Sequence, residues 1–124
     1  MKGLGYQTLV EFYRCDTAII NDTLRIKQLL LTSAELAGLT VVEAVVHHFS
    51  PIGVSGVVVV KESHISVHTW PEYGYVALDF FTCNSAYSLT TAIDFLTNEL
   101  NAESTESKTL VRGEQIHDLK RENI

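Results

Sequence analysis

The sequence predicts an α+β fold, a two-layer sandwich in which one antiparallel sheet carries two helices on one face. Three observations point to it. Short β-branched or alternating stretches follow one another with only tight turns between them. Just two stretches repeat their apolar residues with a helical period. The chain has 124 residues, 46% hydrophobic and 19% charged, the size and composition of one compact domain spanning residues 1–124.

Residues 5–14 alternate as a strand does, with Leu9, Glu11 and Tyr13 opposite Val10, Phe12 and Arg14. Asp16 is placed to cap a helix over 17–37, whose apolar positions are Ile20, Leu24, Leu31, Ala34 and Leu36. Gly38 follows where such a helix would end in a left-handed residue. Residues 40–49 are rich in valine and read as a strand, broken by Pro51-Ile52-Gly53. Gly56 to Lys61, with four consecutive valines, reads as a short buried strand. His64 to Thr69 and Tyr75 to Thr82 give two more, divided by a turn at Pro71-Glu72-Tyr73-Gly74. A helix over 86–100 places Leu89, Ile93, Leu96 and Leu100 on one face, and 108–112 adds a last strand before a polar, loosely held tail. The sheet face away from the helices needs covering. A face-to-face dimer, giving four layers in the order αββα, would supply it.

Composition excludes several classes. A formal charge of −6 offers no basic surface for phosphates, so no nucleic-acid partner is expected. No apolar run approaches the ~20 residues of a membrane span, and Met1-Lys2-Gly3-Leu4 lacks the apolar core of a secretory signal, so a cytoplasmic protein with no membrane partner is expected. Cys15 and Cys83 form no CxxC pair and are expected to be reduced thiols.

Chemistry is concentrated in one stretch: Gly53-Val54-Ser55-Gly56, Lys61-Glu62-Ser63-His64, His68-Thr69-Trp70-Pro71-Glu72 and Phe81-Thr82-Cys83-Asn84. On a regular strand His64, Ser66 and His68 share one face, and Ser63, Ile65 and Val67 the other. Two histidines four apart, joined by His47 or His48, are one way to hold zinc, although no CxxC or HExxH spacing accompanies them. Serine, histidine and cysteine together also fit a hydrolase, but the G-x-S-x-G elbow is missing. Taken singly, each of these residues reads as an ordinary core or surface residue; Tyr6, Tyr73 and Tyr75 read as packing residues.

Taken together, residues 47–83 resemble the core of the prokaryotic S-adenosylmethionine decarboxylase proenzymes. That family's blocks, Gly-Val-Ser-Gly, Glu-Ser-His, His-Thr-Trp-Pro-Glu and Phe-Thr-Cys, all stand here in order. Leu4-Gly5, Glu11-Phe12-Tyr13, Cys15-Asp16 and Arg112-Gly113 extend the resemblance towards both ends.

The resemblance implies self-cleavage between Glu62 and Ser63, giving a β chain of residues 1–62 and an α chain of residues 63–124. Ser63 would become a pyruvoyl group, the only cofactor, with no pyridoxal phosphate and no metal. His68 would serve as the acid/base of processing and Ser55 as a hydrogen-bonding group in it. The pyruvoyl ketone would form a Schiff base with the substrate amine and act as electron sink for decarboxylation, with Cys83 as proton donor. Phe49 and Trp70 are candidates to stack an aromatic base, and Glu72 to hold ribose hydroxyls or a positive charge; either ring reads equally well as core. The family pairs as homodimers of processed αβ units, and its decarboxylated product donates the aminopropyl group of spermidine synthesis.

Three departures stand out: Gly5-Tyr6-Gln7 where the family has Gly-Arg-His, Lys61 where a small or polar residue is commoner, and Asn84 where glycine is frequent. None removes a processing or catalytic residue. They leave open a pyruvoyl-dependent arginine or ornithine decarboxylase on the same scaffold. An uncut homologue that acts by binding is the rival from another class.

Overall fold

A computed structural model describes residues 3–83 and 89–114. Strand β1 (Gly5–Tyr13) is followed by helices α1 (Thr17–Ile20) and α2 (Thr23–Leu36), then strands β2 (Val41–His48), β3 (Val54–Val60) and β4 (Ser63–Trp70). A single 3-10 turn, Pro71–Tyr73, leads to β5 (Tyr75–Thr82), helix α3 (Thr90–Glu99) and β6 (Ser104–Arg112). The six strands form one sheet in the order β2-β3-β4-β5-β1-β6, antiparallel throughout. The α+β sandwich expected from the sequence is the fold observed.

Alternation along the strands decides which face is covered. Val10, Phe12, Val58, Ile65, Val76 and Phe80 are fully buried and join Ile20, Ile26, Leu30, Leu96 and Leu100 of the helical segments in one core. Each such side chain contributes about 2 kcal/mol by leaving water. The alternate positions, among them Gln7, Glu11, His64, Ser66 and His68, line the opposite face and are only partly buried.

The helix expected over 17–37 is broken in two. Asp16 does cap its start, its carboxylate accepting from the amides of Ala18 and Ile19. Asp22 then caps a second start by accepting from the Arg25 amide, and the Asn21 side chain accepts from the Gly53 amide at 2.9 Å. Asn and Asp side chains compete in this way for backbone groups and end helices. The break shifts the phase of the apolar stripe. Ile26, Leu29 and Leu30 face the core, while Leu24 and Leu36, read as core-facing, are exposed. Gly38 takes positive φ just past α2, as expected. Gly74 does so after the Pro71–Tyr73 turn, where its missing Cβ leaves room for the Cys15 carbonyl.

Of the second expected helix, 86–88 lie outside the described residues. Leu96 and Leu100 are buried, with Leu89 and Ile93 packed against the core. Strand β6 begins at Ser104, four residues before the expected start, and pairs with β1 from Tyr13↔Ser104 to Gly5↔Arg112. The polar tail, 115–124, lies outside the described residues. No helix among those described is long and apolar enough to cross a membrane.

Candidate active site

Strands β3 and β4 meet through a two-residue turn, Lys61-Glu62, closed by the Val60↔Ser63 pair. Glu62 has φ of 64°, the left-handed region that favours glycine and costs other residues about 1–2 kcal/mol. The strained residue therefore contributes the carbonyl of the Glu62–Ser63 peptide bond. Two groups converge on that carbonyl: the Ser63 hydroxyl donates to it at 2.7 Å and the Cys83 thiol at 2.8 Å. The Cys83 amide donates in turn to Ser63 Oγ at 3.3 Å. β5 ends beside the β3–β4 hairpin, so residues twenty apart in sequence share one corner of the sheet. Asn84 lies outside the described residues.

The other expected site residues gather at the opposite end of the same strands. Ser55 and His68 are directly paired across β3 and β4. Phe49 stacks on His68 at 6.0 Å between ring centroids and meets His47 edge-on at 4.7 Å. Trp70 lies 4.2 Å from His68 and 5.2 Å from Tyr75, which stacks on Tyr13 at 5.6 Å. A hollow of about 600 Å³ runs over this part of the uncovered face, lined by His47, Phe49, Ser55, Ser66, His68 and Asp79 among others. Glu72 sits on the 3-10 turn and is exposed, as is Tyr73, which was expected to pack. Five residues of strand separate Ser63 from His68, about 16 Å. Within one chain the serine and the histidine do not meet.

The sequence reading missed a polar network beside the hairpin. Asp79, only 9% exposed, accepts from the Ser66 hydroxyl and, at 3.0 Å, from Gln7 Nε2. His64 Nε2 lies 3.7 Å from the same carboxylate, and Arg112 donates to Gln7 Oε1. A lone acid in the apolar run Tyr75 to Thr82 was the available signal. Tyr75 was read only as packing, yet its hydroxyl donates to the Glu11 carboxylate. Burial and that hydrogen bond raise the phenol above its ordinary range, so it stays a donor. Among the described residues no group of three or more His, Cys, Asp or Glu side chains is gathered as a metal centre. His64 and His68 stand about 13 Å apart along β4, and His48 turns to Asn21 at 3.0 Å.

Fold and site define a small α+β protein whose central hairpin presents a strained Glu-Ser peptide to a hydroxyl and a thiol. Comparison with known proteins supplies the family. The sequence model described as S-adenosylmethionine decarboxylase matches residues 6–113, and the chain belongs to that family. It is 41% identical over 126 residues to the S-adenosylmethionine decarboxylase proenzyme of Clostridium kluyveri, with 100% of each chain covered. It is 44% identical to the proenzyme of Acetivibrio thermocellus, covering 91% of each chain. The crystal structure of the adenosylmethionine decarboxylase from Aquifex aeolicus superposes with a TM-score of 0.81 at 33% identity, covering 91% of this chain and 93% of that one.

Proposed function

We propose that this chain is a proenzyme that cuts itself between Glu62 and Ser63 and then decarboxylates S-adenosylmethionine. The observation that carries the reading is the Glu62 carbonyl, set in strained backbone and contacted by both the Ser63 hydroxyl and the Cys83 thiol. Ser63 Oγ gives up its proton and bonds to the Glu62 carbonyl carbon, while the thiol donates to the oxygen that gains charge. The C–N bond breaks, and the acyl group passes from nitrogen to oxygen as an ester. Loss of the Ser63 α-proton expels Glu62 as a carboxylate and leaves a dehydroalanine. Water replaces its nitrogen, released as ammonia, and residue 63 becomes a pyruvoyl group.

That group would supply a ketone to capture an amine and a sink for the electrons of a departing carboxylate. Ser63, Cys83 and the Cys83 amide suit its formation and retention. Cys83, exposed and with its amide on Ser63 Oγ, would return a proton there. The rings of Phe49 and Trp70 offer faces for an aromatic base, and Glu72 a carboxylate for ribose or for positive charge. The relatives' names support S-adenosylmethionine as the substrate.

His68 and Ser55 lie too far from Ser63 of their own chain to act on it. Face-to-face pairing of the uncovered sheet faces, an isologous contact, would set each chain's His68 end over its partner's Ser63 end. We therefore include the homodimer of cleaved units in the proposal, with processing assisted across the interface.

Mass spectrometry tests the reading. Purified wild-type protein should separate under denaturing conditions into residues 1–62 and 63–124, the second with a blocked, ketone-bearing terminus. Ser63→Ala protein should stay whole. Cleavage after residue 62 in that variant would refute the mechanism, and CO2 release from arginine or ornithine but not from S-adenosylmethionine would refute the substrate.

A further inference from the structure

Four adjacent strands are linked by side chains across the uncovered face next to the hairpin. Arg112 of β6 donates to Gln7 of β1, Gln7 donates to Asp79 of β5, and Asp79 faces His64 and Ser66 of β4. His64 also stacks on Phe81, its direct partner across β4 and β5, at 5.4 Å and 12° between planes. Room for that ring comes from Gly5, where a Cβ would stand 2.5 Å from Phe81 Cζ.

We propose that Asp79 and His64 clamp the severed end of β4, keeping position 63 aligned with Cys83 once the Glu62–Ser63 bond is cut; the inference rests on the cleavage proposed above. Before cutting, the Lys61-Glu62 turn holds His64 in place through the chain. After cutting, residue 63 is a chain terminus, and termini fray unless something ties them down. His64 is the first residue behind that terminus with a side chain to hold. Its imidazole lies on β5 against the Phe81 ring and 3.7 Å from the Asp79 carboxylate.

The charges around it fit the role. The groups facing His64 are Asp79 and Phe81 on β5, Val59 opposite on β3 with Glu43 beyond it on β2, Gln7 on β1, and Lys61 and Glu62 in the turn. Arg112 reaches Asp79 only through the Gln7 amide. A buried carboxylate must be hydrogen-bonded to be tolerated, and Ser66 and Gln7 meet that need with neutral donors. The same carboxylate faces the imidazole at 3.7 Å.

Stability separates a clamp on the cut end from a general packing role. Asp79→Asn protein should still cleave. Its Tm should fall by roughly 3 °C more in cleaved protein than in the uncut Ser63→Ala background. Its kcat for CO2 release from S-adenosylmethionine should drop roughly tenfold or more, with KM changed less than about twofold. His64, partly exposed, can be varied without threat to the core. His64→Gln, which keeps a donor towards Asp79, should recover most of the kcat that His64→Ala loses. Equal Tm losses in cut and uncut protein with kcat unchanged, or a His64→Gln enzyme no better than His64→Ala, would overturn the clamp and leave cleavage standing. A wild-type chain that never cuts would overturn both.

Discussion

The two cysteines carry opposite assignments from the same side chain. Cys83 is exposed at the hairpin, whereas Cys15 is buried where β1 runs into α1. Burial pushes the Cys15 thiol up to about 11 from an ordinary 9.0. A raised value means the folded state keeps this proton after the unfolded chain has released it. The stabilisation it brings is complete below pH 9 and is lost as the pH rises towards 11. Urea midpoints should therefore fall between about pH 9 and about pH 11, less steeply in Cys15→Ala. A native chain alkylated at Cys15 as fast as at Cys83 would contradict the burial argument. At this scale the sequence was legible where neighbours in sequence are neighbours in space, as with Glu62 and Ser63. Asp79 and Gln7 were not, because their meeting depends on which strand β5 pairs with.

Among the elements, the break between α1 and α2 has the largest effect. It places the Ile20 carbonyl where buried Thr69 of β4 donates to it at 2.8 Å, while the same hydroxyl accepts from the Val54 amide at 2.9 Å. One side chain thus joins a helix end to two strands. Thr69→Val, nearly the same shape, strands a buried donor and a buried acceptor and should cost about 2–4 kcal/mol. A urea midpoint unchanged by that substitution would remove the tie from the account. The strands with valine runs or apolar alternation were readable from pattern. The first half of β6, Ser104-Thr105-Glu106-Ser107, was not, because an edge strand needs only one apolar side or none. The helix break was also hidden, since Asn21 accepts from Gly53, a partner remote in sequence.

For the whole molecule, the separation of Ser63 from His68 makes dimerisation testable by complementation. A His68→Ala chain alone should process slowly. Co-expressed with a Ser63→Ala chain, whose His68 is intact, it should recover cleavage in mixed dimers. Recovery no greater than for His68→Ala with itself would confine processing to one chain. The fold class was legible because six strand signals and two helical signals sufficed to name it. Strand order was not, since nothing local says that β1 inserts between β5 and β6.

That insertion has a consequence for what the proposed cut would leave behind. Read across the sheet, β2 and β3 would belong to the first piece, β4 and β5 to the second, β1 to the first again and β6 to the second. The pieces would be interlaced like the fingers of two hands, joined along three separate seams. Severing the chain after residue 62 would free a single end for chemistry, while neither piece could leave without unzipping the other.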